Sequence, residues 1–352
     1  NTHLMLSLSL IALLTACNGN SVNESIYLEG GIVQLDETQN INQGIDLLLH
    51  YPKGNISNIS WQQTAGEPVT FLAKTSKVIS FTPTSAGNYS FSVTFTLNND
   101  LEQTLDKHIT VNAGENKITS RLSHRVSAEN KVSFRAELDQ TIDLNTLKWQ
   151  QVAGPSVTLT AENTDGELAI FFDAPPVNFD TIITFNVSAT DTNNVNTYSD
   201  QVAVLIEPAA SIGNNAYFSD RKASVFAYNK NSPYADNLVS CVDHNSLISS
   251  CTLEQTPLLA EEVKSASGSP SIDNIMDRVV VSHQWMGDRF KEFLTNNDAN
   301  NDIKNLLRAT TAIVISYDIR PSFYWAATGA IYLDAENFWL TPQERDTINE
   351  AP

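Results

Sequence analysis

The chain has 352 residues, 41% of them hydrophobic, which is enough for two or three packed domains and excludes wholesale disorder. Forty acidic against 21 basic residues give a formal charge of −19. Such a surface repels phosphate backbones and anionic headgroups, so nucleic acid is excluded as a partner, while clustered carboxylates would suit divalent cations.

The first element is an apolar run from Leu4 to Ala16, too short to span a bilayer as a helix and of the length of a signal-peptide core. It ends in Leu14-Thr15-Ala16-Cys17, followed by polar NGNSVNES, which speaks against a buried helix carrying a stray cysteine. This stretch resembles the bacterial lipobox. The resemblance implies that residues 1–17 are signal peptide and acylation site, with Cys17 lipidated and residues 18–26 a flexible tether. Asn18, where Asp would favour inner-membrane retention, implies an anchor in the outer membrane of a bacterial cell envelope, facing either side. The chain opens on Asn1 with neither Met nor a basic stretch, so its natural start is expected to lie upstream. Several acyl chains at about 0.8 kcal/mol per buried CH2 would make the attachment effectively permanent.

Next come two copies of one phrase, WQQTAGEPVTF from Trp61 and WQQVAGPSVTL from Trp149, identical at Trp, Gln, Gln, Ala, Gly, Val and Thr. Both lead into an aromatic-to-proline step, Phe81-Thr82-Pro83 and Phe172-Asp173-Ala174-Pro175. Period-2 apolar runs follow: Tyr89, Phe91, Val93 and Phe95 in the first copy, Ile183, Phe185, Val187 and Ala189 in the second. Alternation marks half-buried strands, and short strands at this spacing, divided by Asn, Asp, Gly and Pro, make a two-sheet antiparallel sandwich. Trp61 and Trp149 are expected as nearly fully buried core plugs, the adjoining glutamines as partners of strand-edge backbone, and Gly66 and Gly154 as turn residues. The text W-Q-Q-x-A-G-x-x-V-T, then F-x-A-P, then an aromatic alternating strand, resembles the polycystic-kidney-disease (PKD) and REJ-like immunoglobulin-like domains. It covers residues 27–113 and 117–207, more loosely in the first copy, where Glu67-Pro68 stands for Pro155-Ser156. The resemblance implies spacer and binding modules and supplies no catalytic residue.

Residues 208–215 read as a linker, and 216–352 as an α+β domain that is incomplete at its C-terminus. The fold class is therefore mostly β: two tandem immunoglobulin-like sandwiches followed by a smaller α+β domain. One strand is expected within 217–231. Cys241 and Cys251, ten positions apart in an oxidising envelope, are expected to form a disulfide. Ser271 caps a predicted long helix through Ile272, Ile275, Met276, Val279, Val280, Met286, Phe290, Phe293 and Leu294. A short helix near 303–308, strands at 312–316 and 329–334, and a capping box at Thr341-Pro342-Gln343-Glu344 complete the pattern.

Candidate chemistry is sparse. His244 and His283 have no ligand-spaced partner, and both read more readily as a loop and a core residue. No motif calls for a cofactor. Asp298, Asn300, Asn301 and Asp302 have the composition of a Ca2+ loop without the EF-hand spacing, and Asn and Asp also cap helices. In YDIRPSFYWAATGAIYLD, Asp318, Arg320, Tyr324 and Trp325 suit a ligand cleft at strand ends, or an Asp–Arg brace in a connection. The expected function is a cell-envelope lipoprotein held to the membrane by lipid, whose tandem modules present a domain that binds a polysaccharide or an envelope protein. The alternative is an envelope hydrolase, such as a zinc metallopeptidase, with its catalytic motif beyond residue 352; the metal question stays open.

Overall fold

The computed structural model describes residues 30–35, 39–71, 74–98, 101–114, 116–120, 124–164, 167–193, 195–209, 223, 225–243, 252–263, 268–341, 344, 345 and 348. The first seven strands are β1 (Gly31–Val33), β2 (Gln39–Asn40), β3 (Ile45–His50), β4 (Ile56–Ala65), β5 (Val78–Phe81), β6 (Gly87–Leu97) and β7 (Leu101–Asn112). They form two facing sheets, ordered β1-β3-β5 and β2-β7-β6-β4. All pairings are antiparallel except the short β2, which runs parallel to β7. Tyr89, Phe91, Val93 and Phe95 alternate inward from β6 against Leu47, Leu49, Ile79, Phe81 and Trp61.

The next eight strands repeat the plan: β8 (Ile118–Ser120), β9 (His124–Ser127), β10 (Lys131–Leu138), β11 (Lys148–Ala153), β12 (Thr160–Thr164), β13 (Glu167–Asp173), β14 (Thr181–Thr190) and β15 (Thr197–Glu207). Their sheets are ordered β12-β13-β10-β8 and β11-β14-β15-β9, with β9 parallel to β15. Matched strand for strand, this is the immunoglobulin-like sandwich twice over, the second copy carrying one more strand, β12. The sequence repeat is thus a structural repeat: Trp61 stands opposite Val93 and Gln63 opposite Phe91, as Trp149 stands opposite Val187 and Gln151 opposite Phe185.

One expectation needs correction. Trp61 is 3% exposed, but Trp149 is only half-buried, wedged between two smaller apolar clusters. In the first sandwich the segment before β5 crosses the edge of β4. There the Trp61 amide donates to the Lys74 carbonyl at 2.8 Å and the indole Nε1 to the Ser76 carbonyl at 2.9 Å. In the second sandwich the corresponding segment becomes β12 and joins the opposite sheet, and the Trp149 indole Nε1, though buried, has no hydrogen-bond partner among the described residues.

The sandwiches also share a seam. Every residue of β3, IDLLLH, is buried, because both faces of its sheet are covered. Ile45, Leu47 and Leu49 point into the first core, while Leu48, with Val33 and Val78, packs on Ile182, Ala203 and Leu205 of the second sandwich. Gln43 Nε2 donates to Asp200 Oδ1 at 2.8 Å across the same junction.

The C-terminal unit is built on a five-stranded sheet ordered β16 (Phe226–Ala227), β17 (Val279–Val281), β18 (Ile313–Ser316), β20 (Ala330–Asp334) and β19 (Phe323–Trp325). Its three central strands are parallel and its two edge strands antiparallel. The predicted single helix from Ser271 is in fact α1 (Ile272–Met276), the strand β17, and α2 (Gln284–Asn296). Three consecutive β-branched valines, all fully buried between β16 and β18, prefer the pleated sheet to helix. Ser271 does cap α1, its Oγ accepting from the Asn274 amide at 3.0 Å. Trp285, Met286, Phe290 and Leu294 of α2 cover one sheet face, and Leu238, Cys241 and Val242 cover the other. Helix α3 (Asp302–Leu306) completes the crossover from β17 to β18.

Candidate functional site

The stretch singled out in the sequence folds as the hairpin of β19 and β20. Its turn closes through the Gly329 amide, donating to the Trp325 carbonyl at 2.9 Å, and Gly329 takes a φ of +66° that other residues rarely adopt. Thr311, just before β18, pins the turn from below: its Oγ1 donates to the Thr328 carbonyl at 2.7 Å and its amide to the Gly329 carbonyl at 2.8 Å. Beneath the turn lies a cavity of about 310 Å3, whose far walls are Cys241–Val242 and the segment from Thr252 to Leu258. Its place is the amino end of the parallel strands.

A buried arginine holds that wall. Arg278 is fully buried and donates through Nη1 to the carbonyls of Pro257 and, at 3.0 Å, Thr311, and through Nη2 to Glu262 Oε1 at 2.6 Å. Its guanidinium also stacks 4.2 Å from the Tyr234 ring centroid. The cavity floor and the hairpin turn are thereby fixed to one cation. The sequence offered one signal for Arg278, a charge set against an apolar run in MDRVVV, and none for Thr256 or Thr311.

The four candidate residues do not converge on this cavity. Tyr324 lines it and is 53% exposed. Trp325 packs instead on the apolar cluster around Tyr332, on the adjoining sheet face. Asp318 accepts from Ser316 Oγ at 2.6 Å and from the Ala223 amide at 3.0 Å, which orders the connection after β18. Arg320 pairs with Glu336 at 2.6 Å, both side chains being 43% exposed.

The opposite edge, at the carboxyl ends of the parallel strands, is where open α/β sheets usually bind ligands. Here the second sandwich occupies it. Tyr317 Oη accepts from the Ser127 amide at 3.2 Å and from Asn130 Nδ2 at 3.1 Å, and burial pushes the phenol pKa up. Arg125 Nη2 donates to the Ser282 carbonyl. His283, 3% exposed, lies beside Ser282 Oγ at 3.1 Å and against the Tyr317 ring, immediately before α2.

Arg125 also ends a buried charge cluster that sequence reasoning missed. Lys77 of the first sandwich pairs with Asp180 at 2.6 Å and with Glu207 at 2.9 Å, and Glu207 pairs with Arg125 at 2.7 Å. Burial alone would raise the Glu207 carboxyl, but Lys77 and Arg125 outweigh it and hold it at about 2. For Asp180 burial wins, and its pKa is raised despite Lys77.

Asp298 serves as a cap, accepting from the amides of Ile303 and Lys304 at 3.0 Å each. Glu344 and Thr341 form the reciprocal bonds of a capping box, and Glu344 also pairs with Arg289 at 2.8 Å. A second, apolar groove of about 550 Å3 lies beside Phe290, Phe293 and Leu333. Among the described residues, no group of three or more His, Cys, Asp or Glu is placed to hold a metal ion, and no helix is long and apolar enough to cross a membrane. Cys17, His244 and Cys251 lie outside the described residues; Cys241 is buried on the cavity wall.

No protein-family model and no curated protein matches the chain. Among solved structures, the chain is similar to an endo-fucoidan hydrolase from glycoside hydrolase family 107 at 14% identity, over 51% of this chain and 29% of that one, with a TM-score of 0.19. It is similar to the PKD domain of the KIAA 1837 protein at 17% identity, over 28% of this chain and 95% of that one, with a TM-score of 0.20. The titin domains z1z2, in complex with telethonin, match at 12% identity over 51% of this chain and 98% of theirs, also at 0.20. At scores this low the fold rests on the strand pairing itself: two immunoglobulin-like sandwiches in a mostly β chain.

Proposed function

We propose that the chain is a cell-envelope lipoprotein, anchored through Cys17 in the outer membrane, whose paired sandwiches present the C-terminal unit to a ligand. In this reading the modules span residues 27–113, 117–207 and 216–352, and a Cys241–Cys251 disulfide closes the loop beside the hairpin cavity. The observation that supports presentation of the C-terminal unit is the unbroken line of buried contacts from Lys77 through Glu207 and Arg125 to the Ser282 carbonyl, while the anchor rests on the sequence around Cys17. Domains joined by small polar interfaces move freely by default, and a scaffold that presents a site needs them fixed. The apolar seam around Leu48 and Leu205 adds to that fixity.

Spin labels placed on the first sandwich and on α2 should give a narrow distance distribution, which Arg125→Ala broadens. A broad distribution in the unaltered protein overturns the scaffold. Cys17→Ser should move the chain from the membrane fraction to the soluble one and abolish incorporation of a palmitate analogue; unchanged fractionation and labelling overturn the anchor.

A further inference from the structure

We infer that the cavity beneath the β19–β20 hairpin is a binding site for a neutral sugar unit, an assignment that rests on the reading of the C-terminal unit as the ligand-binding part. Its volume, about 310 Å3, is at the lower end of ligand pockets and suits one or two pyranose rings. None of its described lining residues is charged, on a chain whose formal charge is −19. A carboxylate or phosphate ligand would meet repulsion without a counter-charge, and an ammonium ligand would find no anion to grip it.

The lining offers hydroxyls. Thr252, Thr256, Thr311 and Thr328 belong to the lining, with small or apolar side chains such as Ala326 and Leu258. Three of the four hydroxyls are committed within the protein, to Gln255, to the Thr328 carbonyl and to the Trp325 carbonyl. Thr256 differs. The residue is 5% exposed, and its Oγ1 is buried with no hydrogen-bond partner among the described residues. That oxygen is closed to the cavity as it is to solvent, so a ligand's hydroxyls are left to donate to Thr252 and Thr311, whose oxygens keep free lone pairs while they donate to Gln255 and to the Thr328 carbonyl. Tyr324, more than half exposed on the rim, supplies the flat apolar face that the C–H side of a sugar ring packs against, with a phenol at its edge. The Arg278 brace fixes both walls before any ligand arrives, so little ordering remains to oppose binding.

The test is saturation-transfer NMR on the full chain with methyl glucoside, methyl galactoside, methyl mannoside and N-acetylglucosamine, and with glucuronate and glucosamine as charged controls. At least one neutral sugar should show transfer, and Tyr324→Ala should weaken it at least about tenfold. Thr252→Val should weaken the same sugar while leaving thermal stability nearly unchanged, because it removes an accepting oxygen of the lining whose own bond, to Gln255, is exposed. A merely structural threonine would not separate the two readouts. No transfer from any neutral sugar, stronger transfer from a charged control, or transfer insensitive to both variants overturns the assignment. Retention on isolated envelope material distinguishes this failure from failure of the wider reading. Retention that Tyr324→Ala abolishes but free neutral sugars do not compete would sink the sugar class alone, whereas no retention at all would sink ligand presentation as well.

Discussion

The two sandwiches carry the same phrase but use its first word differently. Each phrase ends in the same staple. Gln63 donates to the Glu67 carbonyl at 2.8 Å and accepts from the Val69 amide at 2.9 Å, while Gln151 donates to the Pro155 carbonyl at 2.6 Å and accepts from the Val157 amide at 3.1 Å. Each strand also bulges at the same place, between Gln63 and Ala65 and between Gln151 and Ala153. The tryptophans, by contrast, depend on a distant segment. Where that segment crosses the strand edge, Trp61 is sealed and its Nε1 satisfied; where it becomes β12 in the other sheet, Trp149 stays half-buried. Residues whose partners are local keep their role through the duplication, and residues whose partners are remote do not.

The largest effect that would break or sharpen this contrast comes from truncating the indoles. Trp61→Ala should cost about 3–5 kcal/mol, and Trp149→Ala less, about 2–3 kcal/mol, read from urea unfolding. Phenylalanine sharpens the difference. Trp61→Phe leaves the Ser76 carbonyl without its donor and should cost about 1–2 kcal/mol. Trp149 Nε1 is buried with no acceptor among the described residues, so Trp149→Phe should be near neutral or slightly stabilising. Equal costs in the two copies would defeat the edge-covering explanation.

The seam is the next test, because it ties the two unlike copies into one body. Glu207→Gln leaves Arg125 without its carboxylate and Lys77 with Asp180 alone in a nearly dry site, and should cost about 3 kcal/mol. Acid should act in the same direction. The Glu207 pKa is lowered from 4.5 to about 2, so its stabilisation is complete above the unfolded value and is lost as pH falls through the folded one. Asp180 has the opposite sign: its raised pKa means that the ion costs stability, and protonation relieves that cost as the pH drops. The net loss on acidification is therefore smaller than Glu207 alone would give, and Asp180→Asn should enlarge it. Thermal unfolding followed between pH about 5 and about 2 reads both signs.

Much of this was legible in the sequence, for a physical reason. Tyr89, Phe91, Val93 and Phe95 show period 2 because one face of β6 is wet, and that pattern survives without any knowledge of the partner strand. The burial of IDLLLH on both faces follows from a neighbouring sandwich, and no local pattern announces which surface will cover Leu48. Val279 and Val280 fit the helical spacing of Ile275 and Met286 by coincidence of register, and the sheet on either side decided between the two. The hairpin at 323–334 was visible as unusual chemistry, yet of its four candidates only Tyr324 lines the cavity. The other residues that shape it, Thr256, Thr311 and Arg278, come from segments distant in sequence, and their convergence is tertiary.

The turn glycines test the shared part of the comparison. Gly66 and Gly154 have φ of +100° and +89°, and a Cβ on either would meet backbone: the Asn88 carbonyl oxygen at 2.7 Å and the Ile182 carbonyl oxygen at 2.4 Å. Backbone cannot swing aside, so alanine should cost about 1–3 kcal/mol at each position, with Gly154→Ala the worse.

The smallest effect is the most discriminating, because it probes the staple alone. Gln63→Ala and Gln151→Ala each remove one acceptor and one donor that the loop uses, in partly exposed surroundings, and should cost about 1 kcal/mol each. Glutamate is the sharper substitution. It keeps the acceptor for the Val69 or Val157 amide but sets a carboxylate against the carbonyls that the amide group had bridged, Ala65 and Glu67 in one copy, Ala153, Gly154 and Pro155 in the other. Glutamate should therefore be no better than alanine in either sandwich, although it preserves shape and one bond. If the staple is the reason the phrase was kept, the two copies should respond alike to each substitution, to within about 0.5 kcal/mol. A clear inequality would instead assign the loop to its differing residues, Glu67-Pro68 against Pro155-Ser156.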